Sequence, residues 1–195
     1  MEKICLIGDS IRMGYQGIVD NDLKGYCEVI YDGADNGRFV QYELWQLNQL
    51  IKNRGPFKIV FFNSGYWDMN VEPPMNEPFN PIPIYLEGLK RIVEITRDSK
   101  GIPIFINSLP IYDAGTSKDN TGTGASITYK NEWVTTFNKA AEDLMHELKV
   151  EVIDLYHLII QGYQYYKCPD MLHLTFEGYT VCAHEIEKVA KRIIG

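Results

Sequence analysis

Four short stretches of this chain carry residue types that do chemistry when brought together. Gly8-Asp9-Ser10 ends an apolar run and opens a helical one, which sets a serine hydroxyl against a helix N-terminus. Such a hydroxyl can be a nucleophile, because the helix end favours the negative charge of an oxyanion forming beside it. Equally, Asp9 or Ser10 can simply cap the helix. Asp170 and His173 stand three apart, just before the last helical segment. At that spacing an acid can hold one ring nitrogen of a histidine and leave the other free as a general base. The Asn36-Gly37 turn can bring a backbone N–H close to a ligand, and the amide of Asn63 can donate to an oxyanion. Nucleophile, base, orienting acid and oxyanion donors form a complete set for acyl transfer. Singly, each has a plainer reading as a cap, a turn or an exposed loop histidine.

The elements that must position these residues follow from hydrophobic periodicity. Short apolar runs at Ile4 to Ile7, Cys27 to Tyr31, Lys58 to Asn63, Ile102 to Asn107 and Val150 to Leu155 suit strands buried on both faces, as in a parallel sheet. Between them lie helical patterns over Ile11 to Leu23, Val40 to Lys52, Ile84 to Arg97, Glu132 to Leu148 and Thr175 to Ile194. The core stripe of the second is Leu44, Leu47 and Ile51. Strict alternation predicts a three-layer α/β/α sandwich on a five-stranded parallel sheet, with the flavodoxin-like strand order 2-1-3-4-5. Residues 1–195 read as a single domain, with no repeat or linker. Ligand sites in such sheets lie beyond the carboxyl ends of the strands. Ser10, Gly37, Asn63 and the Asp170/His173 pair all fall there. The stretch 113–129 is long enough to be a lid.

Composition narrows the function. With a net charge of -7 and no Lys/Arg block, the chain is a poor binder of nucleic acid or of an anionic membrane. The apolar run Ile4 to Ile7 is too short for a signal peptide and no stretch could cross a bilayer, so a cytoplasmic location is expected. The four cysteines, Cys5, Cys27, Cys168 and Cys182, contain no C-x-x-C and read as free thiols.

In its blocks the chain resembles the SGNH (GDSL-like) hydrolase family over nearly its whole length. Gly8-Asp9-Ser10 matches the nucleophile block, Asn36-Gly37 the second block, and the Asp170-x-x-His173 segment closely matches the last. The third block departs: Gly65-Tyr66-Trp67-Asp68 puts Trp67 where the family has an oxyanion asparagine. Either Asn63 takes over that role, which is the reading preferred here, or the Trp67 indole donates, or the donor is missing. The resemblance implies a Ser-His-Asp esterase that forms an acyl-enzyme. Ser10 would be the nucleophile, His173 the base and Asp170 its partner, with oxyanion donors at Ser10, Gly37 and Asn63. Neither metal nor cofactor is required, and the partner is a small-molecule acyl ester.

Three rivals remain at this stage. Cys168, Asp170, His173, Cys182 and His184 are plausible metal ligands, but their spacing matches no familiar zinc pattern. No phosphate-binding glycine motif follows any strand, which disfavours a nucleotide module. A carbohydrate- or ester-binding protein of the same fold without catalysis, or a lysophospholipase or thioesterase, completes the set. Tyr66 and Trp67 are candidate substrate contacts, as are Met69, Phe79, Tyr163, Tyr165 and Tyr166. No greasy lid is evident, which points to a short acyl group such as acetyl on a carbohydrate.

Overall fold

A computed structural model describes residues 1–112, 115–118, 126–162, 166 and 168–195. Tyr163 and Tyr165 lie outside these residues, as do 113–114 and 119–125 of the expected lid.

The five apolar runs do form strands. They are β1 (Lys3–Gly8), β2 (Glu28–Ile30), β3 (Ile59–Asn63), β4 (Ile102–Ile106) and β7 (Glu151–Ile153). All pair in parallel, in the order β2-β1-β3-β4-β7. By strand number in the sheet this is the expected 2-1-3-4-5. The central strands are buried along almost their whole length. That is why they read as unbroken apolar runs and not as alternating ones. Helices α1 (Ser10–Asp22) and α6 (Phe176–Ile194) pack on each other, while α2 (Val40–Arg54), α3 (Ile82–Asp98) and α4 (Asn131–Glu147) pack in succession. The result is the three-layer α/β/α sandwich that strand and helix alternation predicts. Within the expected lid, β5 (Gly115–Lys118) and β6 (Ser126–Tyr129) pair antiparallel. A seven-residue helix, α5 (Leu155–Gln161), follows β7. Among the described residues no helix is long and apolar enough to cross a membrane.

Helix α2 departs from its expected core stripe. Its buried residues are Val40, Glu43, Gln46 and Leu47, while Leu44 and Ile51 are only partly covered. The helix is rotated so that Glu43 faces inward, beneath the end of β1. Register fixes that end. Gly8 of β1 pairs with Asn63 of β3, so the two residues that finish these strands stand side by side. Gly8 has φ of +153°, and a Cβ there would sit 2.9 Å from both the Arg12 Cβ and the Asn63 carbonyl oxygen. Only glycine lets the chain turn from strand into α1 at this point.

Candidate active site

Asp9 resolves the ambiguity of the Gly-Asp-Ser turn. It is the N-cap of α1, and its side chain accepts from the Ile11 N–H at 2.9 Å. Capping is therefore done by the residue before the serine. Ser10 is left as the first residue of the helix, with its hydroxyl uncommitted to the backbone. Its own N–H belongs to the first turn, which a helix leaves without internal partners.

The Ser10 hydroxyl meets a ring from the far end of the chain. His173 Nε2 lies 2.8 Å from Ser10 Oγ across 163 residues of sequence. On the other side of the ring, His173 Nδ1 lies 2.5 Å from Asp170 Oδ2. Asp170 Oδ1 also accepts the backbone N–H groups of Leu172 at 3.1 Å and His173 at 2.9 Å. Partial burial raises the Asp170 carboxyl, but these hydrogen bonds and the nearby ring outweigh it and leave its pKa below the usual carboxylate value. An ionised carboxylate can only accept. Nδ1 therefore donates to Asp170, and a neutral ring would present the Nε2 lone pair to the Ser10 hydroxyl. The turn that holds the pair is built tightly. Met171 takes φ of +61°, Cys168 N–H donates to the His173 carbonyl at 3.1 Å, and Thr175 N–H to that of Tyr166 at 2.7 Å.

Two expected oxyanion donors arrive at the right strand ends with their donors turned elsewhere. The Gly37 N–H donates to the Gly8 carbonyl at 2.9 Å. The close approach itself is as the glycine implies, since a Cβ at residue 37 would lie 2.6 Å from that carbonyl oxygen. The Asn63 amide donates to the Ile106 carbonyl at 3.2 Å, tying β3 to the end of β4. The Gly37 N–H and one of the two Asn63 amide N–H groups are thus engaged by strand-end carbonyls. Of the expected substrate contacts, Tyr66 is 2% exposed and its hydroxyl donates to the Leu109 carbonyl at 2.6 Å, so it belongs to the core. Trp67 is nearly buried and packs edge-on against Phe39 with ring centres 5.6 Å apart. Met69 is also core, whereas Phe79 is exposed.

A buried polar cluster that the sequence does not advertise lies under the site. Arg12 is 1% exposed, yet its guanidinium donates to the carbonyls of Gly8, Asp32 and Asp35 and to the side chain of Gln16. It thereby ties α1 to the loop after β2. Asp68, in the departing third block, accepts from the Val40 N–H at 3.1 Å, Asn80 Nδ2 at 2.6 Å and Ser64 Oγ at 2.8 Å. It supplies the cap that Phe39, at the N-cap position of α2, cannot. Burial pushes the Asp9 and Asp68 carboxyls up to about 6, although hydrogen bonds oppose the shift in each. Glu43, wholly buried beside both, is raised well above its usual value, first by burial and then by those two carboxyls.

These shifts set the pH response of the fold. A carboxyl whose folded pKa lies above its unfolded value binds protons more tightly when folded, so its contribution fades as pH rises through the folded value. Asp9 and Asp68 therefore predict a thermal midpoint that climbs as pH is lowered from 7.5 to about 5. Asp170, shifted the other way, withdraws its share only below about 4. Calorimetric midpoints across that range test this, and a midpoint that falls between 7.5 and 5 contradicts it.

The rival metal set does not assemble. His173 is taken by Asp170 and Ser10, Cys182 is fully buried, and all four cysteines are free. Among the described residues the His/Asp/Glu grouping with donor atoms close together is Asp22, His184 and Glu187, which shares only His184 with that set.

No family model and no curated protein matches this chain. Solved structures do. A carbohydrate acetylesterase family member from Sinorhizobium meliloti superposes with a TM-score of 0.74 at 18% identity, covering 100% of both chains. A lipase/acylhydrolase from Enterococcus faecalis gives 0.73 at 22% identity, covering 98% of this chain and 97% of that one. A member of the lipolytic protein G-D-S-L family from Veillonella parvula gives 0.71 at 17%, covering 98% and 100%. The chain has the SGNH-hydrolase fold. In the SGNH frame the first and last blocks, read from sequence, are the ones whose side chains touch. The second and third blocks reach the same edge of the sheet and are occupied with holding it together.

Proposed function

We propose that the protein is a serine ester hydrolase acting through an acyl-enzyme. One observation carries this reading: Ser10 Oγ, His173 Nε2, His173 Nδ1 and Asp170 Oδ2 lie in one hydrogen-bonded line. Its position at the carboxyl edge of the sheet supports the reading, since that is where ligands enter such folds.

In the proposed reaction Ser10 Oγ attacks the ester carbonyl while His173 Nε2 takes its proton. Asp170 holds the ring and balances the imidazolium. The oxyanion forms beside the Ser10 N–H, at the positive end of α1. Collapse expels the alcohol, which His173 protonates, and leaves Ser10 acylated. Water, deprotonated by the same ring, then releases the acid. With the Gly37 N–H and one Asn63 N–H engaged, the start of α1 carries a large share of the oxyanion stabilisation. Losing one donor of this kind costs about 100- to 1,000-fold in turnover, so a modest rate goes with this site. We take the substrate to carry a short acyl group such as acetyl, with an acetylated carbohydrate as the leading class. Acetylesterases among the structures of this fold favour that class.

A fluorophosphonate probe tests the chemistry. Labelling of the folded protein that vanishes in Ser10→Ala supports the proposal, and absence of labelling in folded wild type defeats it in favour of a non-catalytic binder. Rates on acetyl, butyryl and octanoyl p-nitrophenyl esters test the acyl length. The acetyl ester should be cleaved fastest, and a faster octanoyl ester would overturn the short-acyl assignment.

A further inference from the structure

Arg38 lies in the loop after β2, at the carboxyl edge of the sheet where Ser10 also lies. It follows Gly37, whose N–H is 2.9 Å from the carbonyl of Gly8, two residues before the serine. Its guanidinium carbon lies 5.9 Å from the centre of the Trp67 ring. Trp67 is propped edge-on by Phe39, and Phe39 stacks on the exposed Phe79 with ring centres 3.9 Å apart. The loops after β2 and β3 thus build an aromatic wall on the same sheet edge as Ser10, with a cation held against it.

Among the described residues the Arg38 side chain makes no hydrogen bond and no ion pair. Asp35, the acid three residues before it, is satisfied by neutral donors: the Tyr42 hydroxyl and Gln46 Nε2, both at 2.7 Å. Arg12 shows the opposite pattern, its guanidinium consumed by backbone carbonyls. The Arg38 backbone also takes φ of +51°, a region side-chain-bearing residues seldom enter. Such outliers gather at ligand-binding positions. A guanidinium held within cation–π range of an aromatic ring, with no hydrogen bond of its own, has its N–H fork available for a planar anion.

We propose that Arg38 receives a carboxylate on the substrate, so that the preferred ester is anionic. This rests on the esterase reading above and refines its substrate class. Because a short acyl group has no room for a second charge, the carboxylate belongs to the alcohol portion. An acetylated sugar acid has this form.

A pair of substrates that differ in charge provides the test: 4-acetoxybenzoate and its methyl ester, alike in acyl group and ring. Wild type should favour the carboxylate by about tenfold or more in kcat/KM, as a charge-assisted pair allows. In Arg38→Gln that ratio should collapse, through KM on the carboxylate substrate, and 0.5 M salt should weaken it in wild type. A ratio of one or less in wild type overturns the proposal. So does a drop in kcat shared equally by both esters in Arg38→Gln, which would assign Arg38 to the oxyanion. Binding of 4-hydroxybenzoate and its methyl ester to the Ser10→Ala protein, followed by calorimetry, reads the same preference without turnover. Anion preference there with no hydrolysis by wild type would sink the esterase reading and leave the Arg38 assignment standing. Equal or undetectable binding of the two would sink the assignment.

Discussion

Replacing His173 with alanine should lower ester turnover by about four to six orders of magnitude and leave the fold intact. Among the described residues the ring is the group bonded to Ser10 Oγ that can take its proton, at 2.8 Å, and an unactivated serine hydroxyl is a weak nucleophile. Removal of the histidine from comparable serine hydrolases costs about 10⁶ in kcat. Stability should change little. The His173 side chain is about a third exposed, and the hydrogen bonds that shape its turn run through its backbone, to Cys168 and Asp170. The measurement is kcat on p-nitrophenyl acetate beside a thermal melt. A variant that melts like wild type and retains even a tenth of its activity would remove the histidine from the mechanism. Asp170→Asn should cost about 10⁴, since an amide can present the ring with the wrong tautomer.

The largest loss of stability is expected from Arg12→Leu. Arg12 is buried to 1% exposure and donates to three backbone carbonyls and one side chain. Leucine fills part of the volume and none of those bonds. The carbonyls of Gly8, Asp32 and Asp35 lose their partner in the interior, and the buried carboxyls of Asp9 and Glu43 lose a positive charge that favours their ionised forms. Breaking a buried charged network from one side costs about 3–5 kcal/mol. For a chain of this size that is about 6–20 °C in thermal midpoint. Activity should fall with it, because Gly8 and the loop that ends at Gly37 flank Ser10. A midpoint within about 2 °C of wild type, less than 1 kcal/mol at this size, would show that water or neighbours replace the guanidinium.

The sheet was legible because its strands are covered on both faces. Burial on both sides demands continuous apolar runs, and continuous runs are easy to see. Helix faces were read less well where polar residues turn inward. The apolar spacing of Leu44, Leu47 and Ile51 marked one stripe of α2, yet Glu43 and Gln46 share the buried face. Arg12 sits on the buried stripe of α1 with Ile11, Tyr15 and Val19. A periodicity argument sends charged residues outward, so it misses those that neighbouring backbone carbonyls draw in. Helix α5 escaped notice because seven residues are too few to display a period, and Leu155, assigned to a strand, opens it after Asp154 caps it. At the site, residue type and strand end singled out Ser10, Asp170 and His173, whose side chains the fold brings within hydrogen-bonding distance. Gly37 and Asn63 were placed at the correct strand ends, but the direction in which a donor points depends on which carbonyl lies nearest. That is a property of tertiary packing, to which local sequence gives no access. Asp68 had a detectable signal: an acid after a strand can cap a neighbouring helix as well as its own.

The separation of 163 positions between Ser10 and His173 also orders events in time. A ribosome working at about 5–20 residues per second delivers the hydroxyl roughly 8–33 s before the imidazole. On the proposed mechanism Ser10 waits through that interval without His173, so the site is assembled only once the segment carrying the ring has been made and has docked against the start of α1.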